Sequence, residues 1–488
     1  MAVSEQKKTN QAILTTLREL GGKGVSEEDI VHEGTRFILP AKLTNEQSVE
    51  FLQKKIKEDE QKTVFARTFK YRPWDGANAT LTALKRVFGM VGSQSSFNFF
   101  GENPPAMITI EVGPNETKEV PWGILTLPIL PGAKIKLGAD RDPELGTLFQ
   151  LQIEGPRKYR FEAEGIFKVI QNELETASIY RGKAIDGAEM PSFLDLGGVD
   201  PRKVTYSEEV IRQLEANIWV LMERSADMRR KQLPLKRAVL VEGPYGTGKT
   251  LAAFLTAQRA TANKWTFLYA RPGKDDLSEV MRTARLYQPA VVFMEDMDVV
   301  EGAGYEDASD NKDKVSEMLD LFDGINAKGT EIVAVLTTNH PEKITQAMLR
   351  PGRLDAVIHI GPLDRSGIER LIRANLDKAH LAPDADFDRV SDHMIGFMPA
   401  FVKEAGDRAF RYALARGEDV DGIILTTDDL IAAAEGLRPQ LELMEKDREA
   451  KEDTLESAMR KTVKSASNGH EVQESLDKIM DEMGISRR

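Results

Sequence analysis

In the middle of this chain a short apolar strand, a glycine-rich turn and a helix follow one another without a break. Ala238-Val239-Leu240-Val241 reads as a buried strand, and Leu251 to Arg259 reads as a helix. Between them stands Gly243-Pro244-Tyr245-Gly246-Thr247-Gly248-Lys249-Thr250. That run fits the pattern of Gly, any four residues, then Gly-Lys-Thr. A strand that enters a helix through such a turn presents backbone N–H groups beside the positive end of the helix dipole, which suits a phosphate. Lys249 has the length to reach β- and γ-phosphates, and the Thr250 hydroxyl can ligate Mg²⁺. The run Gly243 to Thr250, with Leu251 at the start of the helix, is therefore the expected nucleotide-binding segment. A chance glycine-rich turn would lack the flanking strand and helix.

The strand–helix alternation extends well beyond this turn. Ala238 to Val241, Thr266 to Tyr269, Ala290 to Met294, Glu331 to Leu336 and Ala356 to Ile360 read as strands, and the stretches between them have helical period. This is the pattern of an α/β domain built on a parallel sheet. We assign it residues 188–363. Thr205 to Leu233 reads as one long amphipathic helix within it, with Thr205-x-x-Glu208 as a capping box. Residues 364–440 read as almost wholly helical, with Thr426-x-x-Asp429 capping one helix. Residues 441–488 form a highly charged tail. Its apolar face of Val472, Leu476, Ile479, Met480 and Met483 is expected to pack against the same protein. Residues 1–187 read as an α+β region of one or two subdomains, with no motif of nameable chemistry. Its apolar stretches, Phe97 to Phe100 and Ile124 to Leu137, are read first as core and second as a binding surface.

Composition narrows the function classes. At 488 residues the chain is too long for a single core. Asp and Glu number 78 against 66 Lys and Arg, a net charge of −12, which weighs against a broad nucleic-acid-binding surface. There is no cysteine, which removes disulfides, thiolate metal sites and cysteine nucleophiles together. The six histidines show no paired metal-ligand spacing. Met1 to Gln11 lacks a signal-peptide apolar core, and no run of about 18 apolar residues predicts a membrane span. A cytoplasmic location is the resulting expectation.

Further groups complete a candidate site. Val291-Val292-Phe293-Met294 ends in Glu295-Asp296, 46 positions after Lys249. Hydrolysis of a nucleotide needs acids at such a strand end, one toward Mg²⁺ and one toward the attacking water. We place this strand next to the one that feeds the glycine-rich turn. Val333 to Thr338 is a second apolar strand, and Asn339 at its end can hydrogen-bond the attacking water or the γ-phosphate. Beyond it lies Ala347-Met348-Leu349-Arg350-Pro351-Gly352-Arg353-Leu354-Asp355, with two arginines around Pro-Gly.

On these motifs, in this order, the chain resembles the AAA ATPase family, in the clade that carries paired arginines in a Leu-Arg-Pro-Gly-Arg-Phe-Asp motif. The resemblance runs from about Phe193 to Leu437. It includes Asp195-Leu196-Gly197-Gly198-Val199-Asp200, like the family's segment beside adenine, which makes Gly197 a nucleotide contact. It also includes Leu319-Asp320-Leu321-Phe322-Asp323-Gly324, like the helix end before the sensor strand. The family implies a hexameric ring of identical subunits with ATP and Mg²⁺ at the interfaces. Thr250 and Glu295 would then hold the metal and Asp296 would orient the water. Asn339 would be sensor 1, Arg350 and Arg353 arginine fingers acting on the neighbour's γ-phosphate, and the helices after Ser366 the lid.

Two departures from the family pattern qualify these implications. Most members have Asp-Glu where this chain has Glu295-Asp296. The shorter acid at the water position loses about 1.5 Å of reach, in chemistry where about 1 Å can matter. A similar order occurs in the mitochondrial translocase of the folded Rieske protein, which also resembles this chain at Thr337-Thr338-Asn339-His340. Second, Arg271-Pro272-Gly273-Lys274-Asp275-Asp276-Leu277 stands where unfoldases carry an aromatic pore loop, and it has no aromatic. The stretch Glu301 to Lys314 is read as a solvated loop. The leading expectation is a ring-forming ATPase that remodels or translocates a protein substrate. A slow or non-hydrolysing ATP-gated scaffold is the second reading, and a nucleic-acid-associated motor the third.

Overall fold

The computed structural model describes residues 12–17, 19, 32–33, 36–37, 44–89, 91–94, 96–98, 101–103, 106–127, 129–187, 190–271, 274–297, 329–341, 353–376, 380–417 and 419–443. Arg350, the stretches Glu301 to Lys314 and Leu319 to Gly324, and the apolar face of the tail lie outside them. The chain divides into two compact units, residues 1–201 with 208–361, and residues 202–207 with 362–488.

Among the described residues the first unit holds two large sheets and three two-stranded ones. The N-terminal large sheet is antiparallel, with strands in the order Lys62–Phe69, Gly146–Pro156, Lys134–Asp142, Ile124–Thr126 and Gly92–Gln94. Helices Pro73–Phe88 and Arg160–Ala177 pack together against it. Phe69 is the pivot of this core, its ring centroid 5.7 Å from that of Phe149 and 6.3 Å from that of Phe167. Ile135 and Leu137 are buried, so this part of the Ile124 to Leu137 stretch is core. Leu125, Leu127 and Leu130 are buried with them.

The second sheet has seven strands, labelled here β1 Ala184–Asp186, β2 Ser192–Phe193, β3 Arg237–Glu242, β4 Thr266–Ala270, β5 Ala290–Met294, β6 Ile332–Thr338 and β7 Ala356–His359. Their order is β2-β1-β4-β5-β6-β3-β7, and every pair is parallel except β1 with β2. Every residue of β5 and β6 is buried. That follows from a parallel sheet covered on both faces, and it explains why these strands read as continuous apolar runs. Two helices matter for the site: α1, Lys249–Ala262, after β3, and α2, Leu277–Leu286, after β4.

Two expectations are corrected. The acid-bearing strand β5 is not beside the glycine-rich turn's strand β3, because β6 lies between them with Leu336 opposite both Leu240 and Met294. The long helix begins at Glu208, so Thr205 stands three residues ahead of it and not at its N-cap position. It passes through a wide turn at Glu215–Trp219 and breaks at Arg224. Trp219 ends the widened turn. Its indole is buried, donates to Thr256 Oγ1 on α1 at 3.1 Å and lies 4.1 Å under the Arg259 guanidinium. A one-residue widening is a recognised way to aim such a side chain.

Joining the two sheets is a buried arginine. Arg72 is 1% exposed. It donates to Glu279 Oε2 at 2.8 Å and to Thr283 Oγ1 at 2.6 Å, both on α2, and to Thr147 O at 3.1 Å. Its own N–H donates to the Tyr287 hydroxyl at 2.9 Å. A buried guanidinium is tolerated only when it is paired and hydrogen-bonded in this way.

The second unit is helical. Arg365–Asn375, Phe387–Met394, Pro399–Ala415 and Thr427–Glu435 enclose a core that includes Ile368, Val390, Met394, Val402 and Leu430. Thr426 and Asp429 form the expected capping box.

Candidate active site

The glycine-rich turn leaves β3 at Glu242 and enters α1 at Lys249. Gly243 is packed so closely that a Cβ there would stand 2.1 Å from Ile360 O, so no side chain fits. Gly248, the residue before α1, has φ +95°, a left-handed conformation that glycine adopts at no cost. Thr247 is buried, and its hydroxyl donates to Pro244 O at 2.9 Å, which closes the turn on itself. Lys249 is 7% exposed, and its ammonium donates to Gly243 O at 2.6 Å and Pro244 O at 2.9 Å. Thr250 is exposed beside it, and Leu251 and Tyr245 are exposed at the rim. The Tyr245 ring is 6.3 Å from that of His340.

The acids lie along the same C-terminal edge of the sheet. Glu295 follows β5, and its N–H donates to Ala270 O at 3.1 Å. Its Oε2 accepts a hydrogen bond from the Tyr269 hydroxyl at the end of β4. Burial, then the bond to Glu295, raises the pKa of Tyr269, so the phenol remains protonated. Asp296 has φ +51° and donates its N–H to Thr337 Oγ1 at 3.0 Å. Asn339, just beyond β6, donates from Nδ2 to Asp296 Oδ1 at 3.0 Å. The structure thus joins Asp296 and Asn339, which the sequence pattern named separately. Gly243 N–H reaches Thr338 O at 3.3 Å, which ties the turn to the end of β6.

Gly197 sits in an exposed turn where its N–H bonds Asp195 Oδ1 at 2.8 Å. That turn is pinned by Gln258 on α1, which donates to Leu196 O at 3.1 Å and Val199 O at 3.0 Å. Sequence reasoning missed both Gln258 and Tyr269. Gln258 lies nine positions beyond Lys249 on the helix, and its spacing carried no signal. Arg353 stands just ahead of β7, half-buried. Of the loop after β4, Arg271 pairs with Asp186 at 2.5 Å, and Asp276 caps α2; Pro272 and Gly273 lie outside the described residues.

The donor set can be tested against ATP with Mg²⁺. The turn excludes side chains at Gly243, and its buried lysine donates to the backbone carbonyls of Gly243 and Pro244, a cation on a close-packed backbone that suits an anionic group. Among the described residues no group of three or more His, Cys, Asp or Glu is placed to hold a metal. Mg²⁺ needs no such cage, because it is typically held by one or two protein oxygens together with substrate phosphates and water. Thr250 and Glu295 fit that requirement. Also among the described residues, no helix is long and apolar enough to cross a membrane.

The parallel sheet and the glycine-rich turn are consistent with a P-loop nucleoside-triphosphatase domain. Residues 239–362 match the family described as "ATPase family associated with various cellular activities (AAA)". The chain is 28% identical over 232 residues to ATP-dependent zinc metalloprotease FtsH 1 of Petrotoga mobilis, covering 45% of this chain and 34% of that protein. It is 28% identical over 224 residues to the cell division cycle protein 48 homolog of Archaeoglobus fulgidus, 42% of this chain and 30% of that one. With the ATPase family gene 2 protein of Schizosaccharomyces pombe it shares 26% identity over 340 residues, 63% and 41% of the two chains. The matched region spans 30% to 41% of the length of these relatives. The family match and the ATPase relatives support ATP hydrolysis by this domain.

Proposed function

We propose that this protein is a ring-forming ATPase that couples ATP hydrolysis to remodelling or translocation of a protein substrate. The observation that carries the reading is the bond between Asn339 and Asp296 on the edge that also bears the Lys249 turn. A P-loop that only bound nucleotide would not need a polar strand end to orient a carboxylate beside it.

In this reading Lys249 turns from the Gly243 and Pro244 carbonyls to phosphate oxygens, while the N-terminus of α1 faces the phosphates with the positive end of its dipole. Thr250 and Glu295 would hold Mg²⁺, which would supply charge neutralisation when bound. Asp296 orients the attacking water for in-line displacement and takes its proton, and Asn339 keeps the carboxylate aimed. Arg350 and Arg353 reach the site of the neighbouring subunit in a hexamer and stabilise charge on the transferring group. The helical unit after Pro362 serves as the lid, Gly197 lies beside the base, and residues 1–187 select the substrate. The Glu295-Asp296 order supports membership of the Rieske-translocase subgroup.

The one-methylene deficit of Asp296 favours a second reading, an ATP-gated scaffold with slow turnover. Mg²⁺-dependent ATP hydrolysis measured against protein concentration separates the two. Activity that rises cooperatively and disappears in Asp296→Asn and Arg353→Ala supports the motor. Wild-type turnover no higher than that of the variants at every concentration, with ATP bound, would replace it with the scaffold.

A further inference from the structure

Glu295 has a partner that the motif pattern does not contain. Tyr269 is the fourth residue of β4, paired in parallel register with Phe293 of β5. Its phenol reaches past the end of β5 and donates to Glu295 Oε2. The ring is braced from the other side, with the Arg271 guanidinium carbon 5.5 Å from its centroid. Arg271 is itself tied to Asp186 Oδ2 at 2.5 Å, and its N–H to Asp275 Oδ2 at 2.7 Å. The hydroxyl is therefore aimed by the sheet and by an ion pair.

A half-buried tyrosine hydroxyl commonly takes whatever acceptor is near. This acceptor, however, is the acid on the metal side of the site. Glutamate there has one more rotatable bond than aspartate, so its carboxylate gains reach and loses orientation. A fixed donor on one oxygen restores the orientation, as outer partners of metal ligands commonly do.

We infer that Tyr269 is a positioning residue that fixes the Glu295 carboxylate and so sets the affinity of the nucleotide-loaded site for its divalent cation. The inference rests on reading Glu295 as the metal-side acid.

The test uses the full-length Tyr269→Phe protein beside Glu295→Gln. Mn²⁺ binding to the ADP-loaded proteins is followed by electron paramagnetic resonance, with the Mg²⁺ concentration for half-maximal ATPase as a second readout. Loss of an outer-shell partner typically costs about 10- to 100-fold in metal affinity. Tyr269→Phe is expected to weaken Mn²⁺ binding about 10-fold, to leave ATP affinity in EDTA unchanged, and to recover turnover at high Mg²⁺. A hydroxyl that only supports the core would lower the melting temperature without rescue by Mg²⁺, which overturns the inference. Wild-type metal affinity in Tyr269→Phe with weakened affinity in Glu295→Gln overturns the inference and leaves the reading of Glu295 standing. Wild-type metal affinity in both removes that reading as well. If Tyr269→Phe does not fold, Glu295→Asp withdraws the carboxylate from the phenol instead. Its metal affinity should then fall, and unchanged affinity overturns the inference.

Discussion

Asn339 Nδ2 donates to Asp296 Oδ1 at 3.0 Å, so the residue just beyond β6 holds the acid that follows β5. The same strand end supplies Thr337 Oγ1 to the Asp296 N–H at 3.0 Å. Asp296 keeps a left-handed backbone, φ +51°, that a non-glycine residue retains only when its surroundings over-determine it. Asn339→Ala removes one of the two restraints. With the carboxylate free to drift by about 1 Å, turnover should fall on the order of a hundredfold, while binding of a fluorescent ATP analogue stays at the wild-type level. Steady-state kinetics with the binding titration decide it, and unchanged turnover would mean that Asn339 does not orient Asp296 for catalysis.

Gly243→Ala tests the turn without removing a charge. The new methyl would meet Ile360 O at 2.1 Å, and since that atom is backbone, the turn has to move. Forced overpacking typically costs about 1–3 kcal/mol. The variant should unfold at lower urea concentration and bind ATP at least about tenfold more weakly, because a shift of about 1 Å in the N–H groups degrades the cradle. Calorimetric titration with ATP reports the second effect, and wild-type affinity would show that the turn tolerates a side chain.

Much of this was legible in the sequence because a buried parallel strand must be apolar throughout. β3, β4, β5, β6 and β7 each appear within two residues of the expected bounds. What periodicity does not encode is which strand lies beside which. β5 was therefore expected beside β3, and β1 and β2 went unseen as members of the sheet. The same limit hid the break in the helix that starts at Glu208, since the apolar spacing runs on through the wide turn while Trp219 tucks onto α1. In the site, Lys249 and Asp296 stand in recognisable motifs. Tyr269 does not, because an aromatic in a β-rich run reads as core until its hydroxyl is seen to meet Glu295.

Arg353 offers a test of the ring. If it acts on the neighbouring subunit, Arg353→Ala should keep ATP affinity and lose about a thousandfold in turnover, the low end of the range for an arginine supplied in trans. Lys249→Ala should lose binding. Each variant alone is then inactive, but a mixture restores sites that take Lys249 from one subunit and Arg353 from the next. Part of the wild-type rate should therefore return on mixing. A mixture as inactive as its components would show that Arg353 does not act across an interface.

Asp75 gives the fold a pH dependence of its own. It is fully buried, and accepts from Ser178 Oγ at 2.6 Å and Ile179 N–H at 3.1 Å. Arg181, Tyr71, Tyr180 and Tyr287 are ionisable groups that interact with it. Burial dominates and raises the carboxyl from an ordinary 3.8 to about 6. The folded chain therefore keeps a proton that the unfolded chain has released. The associated stability is fully present below the unfolded value and is lost as pH rises through the folded one. At 1.36 kcal/mol for each pKa unit, the loss is about 3 kcal/mol across that window. Asp75→Asn has no proton to lose. Urea unfolding of both proteins at pH 4 and pH 7 should show the variant gaining on the wild type by about that amount. A difference that stays constant between the two pH values would mean that the buried carboxylate carries its charge without penalty, held there by Ser178 and Ile179.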